Sequence, residues 1–323
     1  MEIYQPVILN LYQRELAPGF LGFFPFPYPP PFLFLLWPLG TLNYLVARLL
    51  WSTAGMVLFG WSVWRCLPAM KFWRGYMVAL AFLAPASFNN LLTGETGYFT
   101  SAALLSGLRL MQRNALATGG LFGLLALKPQ LCVLLPFAVI GTRAWRAAFV
   151  AFFVAVVLAG ASCLAYGVEI WPVWLRALHH YQVLSAQNAF HLSPKMTTLA
   201  ALAGSFQLPP LAIQAVQLIG LLVIGTVCLR VFLLGNRELA ICSLLAGSFA
   251  VTPHAYFYDT PVMTVALYPV LCLELLSASD IVLIVLVVLA PLFQASSWLH
   301  GASSLVYIWL CLRLAQMALG AES

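Results

Sequence analysis

The chain has 323 residues, of which 63% are hydrophobic and only 7% charged, with a mean hydropathy of +0.96 and a formal net charge of +6. A soluble domain carries about 25% charged residues and cannot hide this much apolar surface, so a water-soluble globular protein is excluded. The apolar runs are long and continuous, unlike the short alternating segments of a β-barrel, and the fold class they give is an all-α polytopic membrane bundle. The basic residues sit at the ends of those runs, which suits membrane orientation and not nucleic-acid binding.

Met1 to Gly22 is polar and irregular, without the basic flank and apolar core of a leader. Phe24 to Gly40 carries prolines at 25, 27, 29, 30, 31 and 38, which restrict its backbone. Its apolar stretches fall short of the roughly 20 residues a span needs, so residues 1–43 read as an outer-face and interfacial or re-entrant segment. Spanning candidates follow at about 44–65, 74–92, 96–112, 114–127, 129–141, 145–167, 210–234, 238–252, 260–278, 281–299 and 302–319. That predicts about eleven spanning or half-spanning helices, the short ones meeting around a cavity where irregular backbone is tolerated. Residues 168–195 form the one long loop, with Trp171, Trp174, Leu175, Leu178 and Tyr181 spaced for an amphipathic interfacial helix. No internal repeat, low-complexity tract or soluble domain interrupts the chain, which reads as a single membrane-embedded domain over 1–323.

Loop charge sets the expected orientation. With the 66–73 turn in the cytoplasm, ten basic residues fall on the cytoplasmic side (Arg65, Lys71, Arg74, Arg109, Arg113, Arg143, Arg146, Arg230, Arg237, Arg313) and five on the outer side (Arg14, Arg48, Lys128, Arg176, Lys195). This puts Met1 outside with nothing to carry it across, so a first, inward-to-outward helix is expected upstream. The outer face then collects the unusual residues: the Tyr-Pro segment, Asn89–Gly97, Lys128-Pro129-Gln130, the long loop, Thr252–Asp259 and all five histidines (His179, His180, His191, His254, His300).

Polar groups at a membrane boundary are functional candidates by default. Lys128 precedes a proline that ends its helix; the lysine is either a point charge for a phosphate or carboxylate, or a snorkelling side chain. Glu95 lies between Gly94 and Gly97, in a knot with Asn89, Asn90, Thr93 and Thr96; it binds a sugar hydroxyl, pairs with Lys128, acts as a base, or merely complements the next helix dipole. Asp259 is a ligand contact, a general base, or the cap of a following helix. His254 and nearby tyrosines serve a ligand or anchor the interface, and Lys195 is a candidate for an anionic headgroup. His179-His180 reads as a polar helix face, and the seven cysteines as small buried hydrophobes, since no zinc-type spacing occurs.

Four motifs in order carry a family resemblance: Tyr28-Pro29-Pro30, Gly94-Glu95-Thr96-Gly97, the Gly-x-Leu-x-x-Lys-Pro-Gln stretch from Gly123 to Gln130, and Thr-Pro-x-x-x-x-Tyr-Asp from Thr252 to Asp259. Together they resemble glycosyltransferase family 87, polyprenol-phosphate-sugar-dependent enzymes of the GT-C superfamily, many of them mannosyltransferases. The resemblance covers nearly the whole chain from Tyr12 onward. It implies a multi-pass plasma (inner) membrane protein of the cell envelope whose active face is periplasmic or extracytoplasmic. It also implies inverting transfer from a polyprenyl-phosphate sugar donor to a lipid or glycan acceptor, with membrane lipids around it and no metal or cofactor. On this reading Asp259 and Glu95 are the candidate catalytic residues, and Lys128, Gln130, Asn90, His254, Tyr258, Lys195 and Tyr28 the candidate substrate-binding ones. The chain departs from the family twice. It begins downstream of the first outer loop, where the family's aspartate base lies, and it has Glu95 where glutamine is commoner. A transporter or flippase for a lipid-linked substrate, and an inactive scaffold lacking that first helix, stand beside the enzyme as alternatives.

Overall fold

The computed structural model describes residues 2–16, 24–67, 71–187, 195–295 and 301–320. It is a bundle of helices, with no strand beyond one isolated bridge between Met196 and Tyr256 among the described residues. In chain order the helices are α1 (Pro6–Leu16), α2 (Leu33–Gly40), α3 (Tyr44–Cys66), α4 (Lys71–Leu83), α5 (Pro85–Thr93), α6 (Gly97–Leu110), α7 (Ala115–Leu124), α8 (Leu135–Thr142) and α9 (Trp145–Tyr166). The second half adds α10 (Ile170–Gln187), α11 (Leu199–Ser205), α12 (Pro210–Leu233), α13 (Arg237–Val251), α14 (Met263–Ala266), α15 (Tyr268–Leu271), α16 (Ala278–Leu289) and α17 (Ser303–Gly320). His191 and His300 fall outside the described residues.

Four helices, α3, α9, α12 and α17, are long and apolar enough to cross a membrane. A fifth crossing exists if α4 and α5, bent by 55° where Pro85 interrupts them, form one broken span. The remaining apolar helices are shorter and pack among these. The sequence predicts one span over 260–278; here α14 and α15 are single turns, with residues 262–270 buried against other helices. Apolar composition alone does not separate a protein-facing segment from a lipid-facing one. The segment expected to be irregular before Gly22 contains α1, an eleven-residue helix.

The centre of the bundle is α13. Asn236 caps it by accepting from the Leu239 amide, and every residue from Leu239 to Val251 is buried. It packs on α12 and α17. A helix apolar on all sides belongs inside protein, and this one delivers the Thr252–Asp259 loop to one end of the molecule. At the other end, Glu238 in its first turn pairs with Arg109 at the end of α6.

α7 and α9 form the tightest pair. Ala147 and Val150 lie against Gly119, and Ala151 and Val154 against Gly123, so the two helices run side by side in the same direction. A side chain at either glycine would collide with the facing valine, because small residues are what let the two backbones approach. Gly119→Val should therefore destabilise the protein by about 1–3 kcal/mol, the usual range for overpacking. Thermal unfolding in detergent checks this, with Gly120→Val, where open space faces the glycine, as the mild control.

Candidate active site

Four segments remote in sequence meet at the end of the bundle where α13 finishes. The first is the Tyr-Pro segment. Tyr28 is stacked on Phe32 at 4.2 Å and 14°, which fixes its ring, and its hydroxyl donates to Glu95 Oε2 at 2.8 Å and lies 3.3 Å from Thr96 Oγ1. The second is the turn between α5 and α6. Gly94 ends α5 in the left-handed conformation with φ 69°, a region glycine enters without penalty. Gly97 opens α6 pressed against the Tyr258 carbonyl and the Asn90 side chain, where no Cβ fits.

The third segment holds Lys128, placed between two short 3-10 turns because Pro129 prevents α7 from continuing. The fourth is the 3-10 turn Phe257–Asp259. Lys128 Nζ lies 2.5 Å from Asp259 Oδ1 and 3.2 Å from Thr96 Oγ1, and the pair is buried, with Asp259 fully enclosed. Asp259 Oδ2 accepts from the Tyr256 amide at 3.1 Å, so both carboxylate oxygens are engaged. The rings of Tyr28 and Tyr258 flank the ammonium at 5.8 and 5.5 Å from their centroids, within cation–π range. Two of the ammonium's three donors thus have oxygen partners among the described residues.

The supporting contacts are backbone ones. Asn90 Nδ2 donates to the Tyr258 carbonyl at 3.0 Å, and Thr252 Oγ1 donates to the Gln130 carbonyl. Of the nine predicted site residues, Tyr28, Glu95, Lys128, Asp259, Tyr258 and Asn90 are brought together directly. Gln130 joins through its backbone. His254 is exposed on the same loop. Lys195 is exposed one residue before the bridge to Tyr256, and among the described residues its amine makes no hydrogen bond or ion pair. Thr96 is the residue that sequence reasoning passed over as a site member. Its hydroxyl touches both Lys128 and Tyr28, and a buried threonine inside a polar turn carries no signal that would single it out.

Electrostatically, the cluster holds one cation and two carboxyls. Burial pushes the Glu95 carboxyl above its ordinary range; Lys128 opposes that shift and Asp259 adds to it. Burial, with the nearby Glu95 second, drives the Tyr28 hydroxyl well above its usual value, and burial with Asp259 holds Tyr256 at about 12. The tyrosines therefore remain neutral donors. Glu95 is only half-buried and accepts from the Tyr28 hydroxyl, so it is the less enclosed of the two carboxyls.

The profile of glycosyltransferase family 87 matches residues 26–253, more than two thirds of the chain. The chain belongs to this family. Membership makes it a membrane glycosyltransferase, and the matched stretch contains Tyr28, Asn90, Glu95, Lys128 and Gln130. His254, Tyr258 and Asp259 lie just beyond its end, so their place in this family-87 chain rests on the contacts described above. No curated protein and no solved structure matches the chain.

Removing one partner of a buried ion pair strands the other charge at a cost of about 3–5 kcal/mol, whereas an apolar pair of similar volume is often neutral. Asp259→Ala should accordingly unfold far earlier in denaturant than Lys128→Met/Asp259→Leu, and the comparison is read from unfolding curves in detergent. A second expectation concerns pH. With its carboxyl raised in the folded state, Glu95 binds more protons folded than unfolded between its ordinary and its raised value, so stability falls as pH rises across that window. Glu95→Gln should flatten that slope in a thermal-shift series across pH.

Proposed function

We propose that this glycosyltransferase moves a sugar, mannose first among the hexoses, from a polyprenyl-phosphate donor to a hydroxyl of a lipid or glycan acceptor. The reading places it in the plasma membrane with the Lys128 cluster at the extracytoplasmic face. The observation that carries it is a buried lysine held by Asp259 and Thr96 and flanked by the rings of Tyr28 and Tyr258. A phosphate leaving group needs a cation near the bridging oxygen, and a lysine is a compact point charge for it. Aromatic faces suit the apolar side of a sugar ring.

In the transfer, the acceptor oxygen attacks the anomeric carbon as the bond from that carbon to the phosphate oxygen breaks. The phosphate leaves with the bonding electrons and Lys128 balances its charge. The acceptor proton passes to a carboxylate. Of the two candidates, Glu95 suits the base, because Asp259 is enclosed and commits both oxygens to Lys128 and the Tyr256 amide. Asp259 then serves by holding the ammonium in position. A base works best with a pKa near the working pH, and burial moves Glu95 in that direction. Asn90, Gln130, Tyr258 and Tyr28 position the loops, and His254 and Lys195, both exposed nearby, are placed to meet the acceptor or the donor headgroup.

The test is sugar transfer in membranes from a mannosyl polyprenyl phosphate, with glucosyl and arabinosyl donors alongside. Glu95→Gln should lower kcat by about 10²–10⁴-fold, the span typical of a lost general base. Lys128→Met should lower kcat/KM at least as far. Full activity in Glu95→Gln assigns the proton to another group, and full activity in both variants overturns the site.

A further inference from the structure

At the end of the bundle away from the Lys128 cluster, the α6–α7 turn and the start of α9 enclose an open notch of about 700 Å3. It is lined by Arg113, Asn114, Leu116, Trp145, Arg146 and Phe149 among others. The fourteen residues of α6 separate it from the cluster by about 20 Å at 1.5 Å per residue, so it is a separate place in the fold. Two guanidinium groups face it, no carboxylate lines it, and among the described residues neither Arg113 nor Arg146 has a side-chain hydrogen bond or ion pair. Asn114 spends its carbonyl oxygen on the Ala117 amide, which leaves its NH2 group as a further donor.

The apolar side of the notch runs on without a break. Leu116, Trp145 and Phe149 are largely exposed, and the surface continues through Phe152, Phe153, Val156 and Val157 along α9. Of the four long apolar helices, α9 is the least covered by protein, with only 11% of its apolar window buried. The Gly119–Val150 and Gly123–Val154 contacts fix α7 and α9 in parallel, so the notch is a rigid product of their packing. A basic head with an attached apolar wall of helix length has the shape and charge of one ligand class.

The geometry points to a binding site for an anionic phospholipid, its phosphate held between Arg113 and Arg146 and an acyl chain lying along Phe149 and Phe153 of α9. Arginine forks bind phosphate oxygens in pairs, and Trp145 sits where an amphipathic ring meets the headgroup layer. A zwitterionic lipid offers the same phosphate with a compensating cation, so the site selects net negative charge.

Native mass spectrometry of the full-length protein from nanodiscs of mixed phosphatidylglycerol and phosphatidylcholine tests this. Wild type should retain phosphatidylglycerol, and Arg113→Gln/Arg146→Gln should lose that adduct by about tenfold or more. Arg113→Lys/Arg146→Lys keeps the charge and should retain a large part of it. The control Arg65→Gln/Arg230→Gln removes two exposed charges from the last turns of α3 and α12 and should leave the adduct intact. Equal loss in the control, equal retention of both lipids, or displacement of the adduct by millimolar inorganic phosphate would each overturn the assignment.

Discussion

A carboxylate with no solvent contact survives only beside a positive charge, and here that charge comes from a chain segment 131 residues away. The Lys128–Asp259 pair therefore dictates where two unrelated turns must end. Pro129 stops α7 so that the lysine leaves its helix, and the buried rod of α13 carries the aspartate's loop to the same level. Thr96, Tyr28 and the close fit of Gly97 under the Tyr258 carbonyl complete the enclosure. An isolated ion pair in such a place adds little net stability, so its value is positional: it holds an ammonium, already oriented, beside a half-open carboxyl.

The division of labour between the two carboxyls follows from their surroundings. Asp259 has its oxygens satisfied and sealed, and Glu95 has a tyrosine donor, partial exposure and a raised affinity for protons. Two acids in one cluster thereby meet different surroundings, one sealed against Lys128 and one partly open.

Much of this was legible in the sequence because the apolar background is so uniform. Against it Glu95, Lys128 and Asp259 stand out as polar islands, and alternation of sides along successive helices places them on one face. What the pattern could not carry was contact. Lys195 and His254 share the face but sit exposed, whereas Thr96, a hydroxyl with no charge, links lysine to tyrosine. One predicted span shows the same limit. Residues 260–278 are as apolar as a span, yet they fold into single turns within the protein, because hydropathy registers dryness and not whether lipid or side chains provide it.

The long separation of Lys128 from its counter-ion also has a temporal side. At a ribosome adding about 5–20 residues per second, roughly ten seconds pass between the synthesis of the lysine and that of the aspartate. For that interval the amine has Thr96 and Tyr28 to contact but not its counter-ion. The final packing of the α5–α6 turn has to wait for the last third of the chain to emerge. The Lys128 end of the bundle is thus among the last parts able to close.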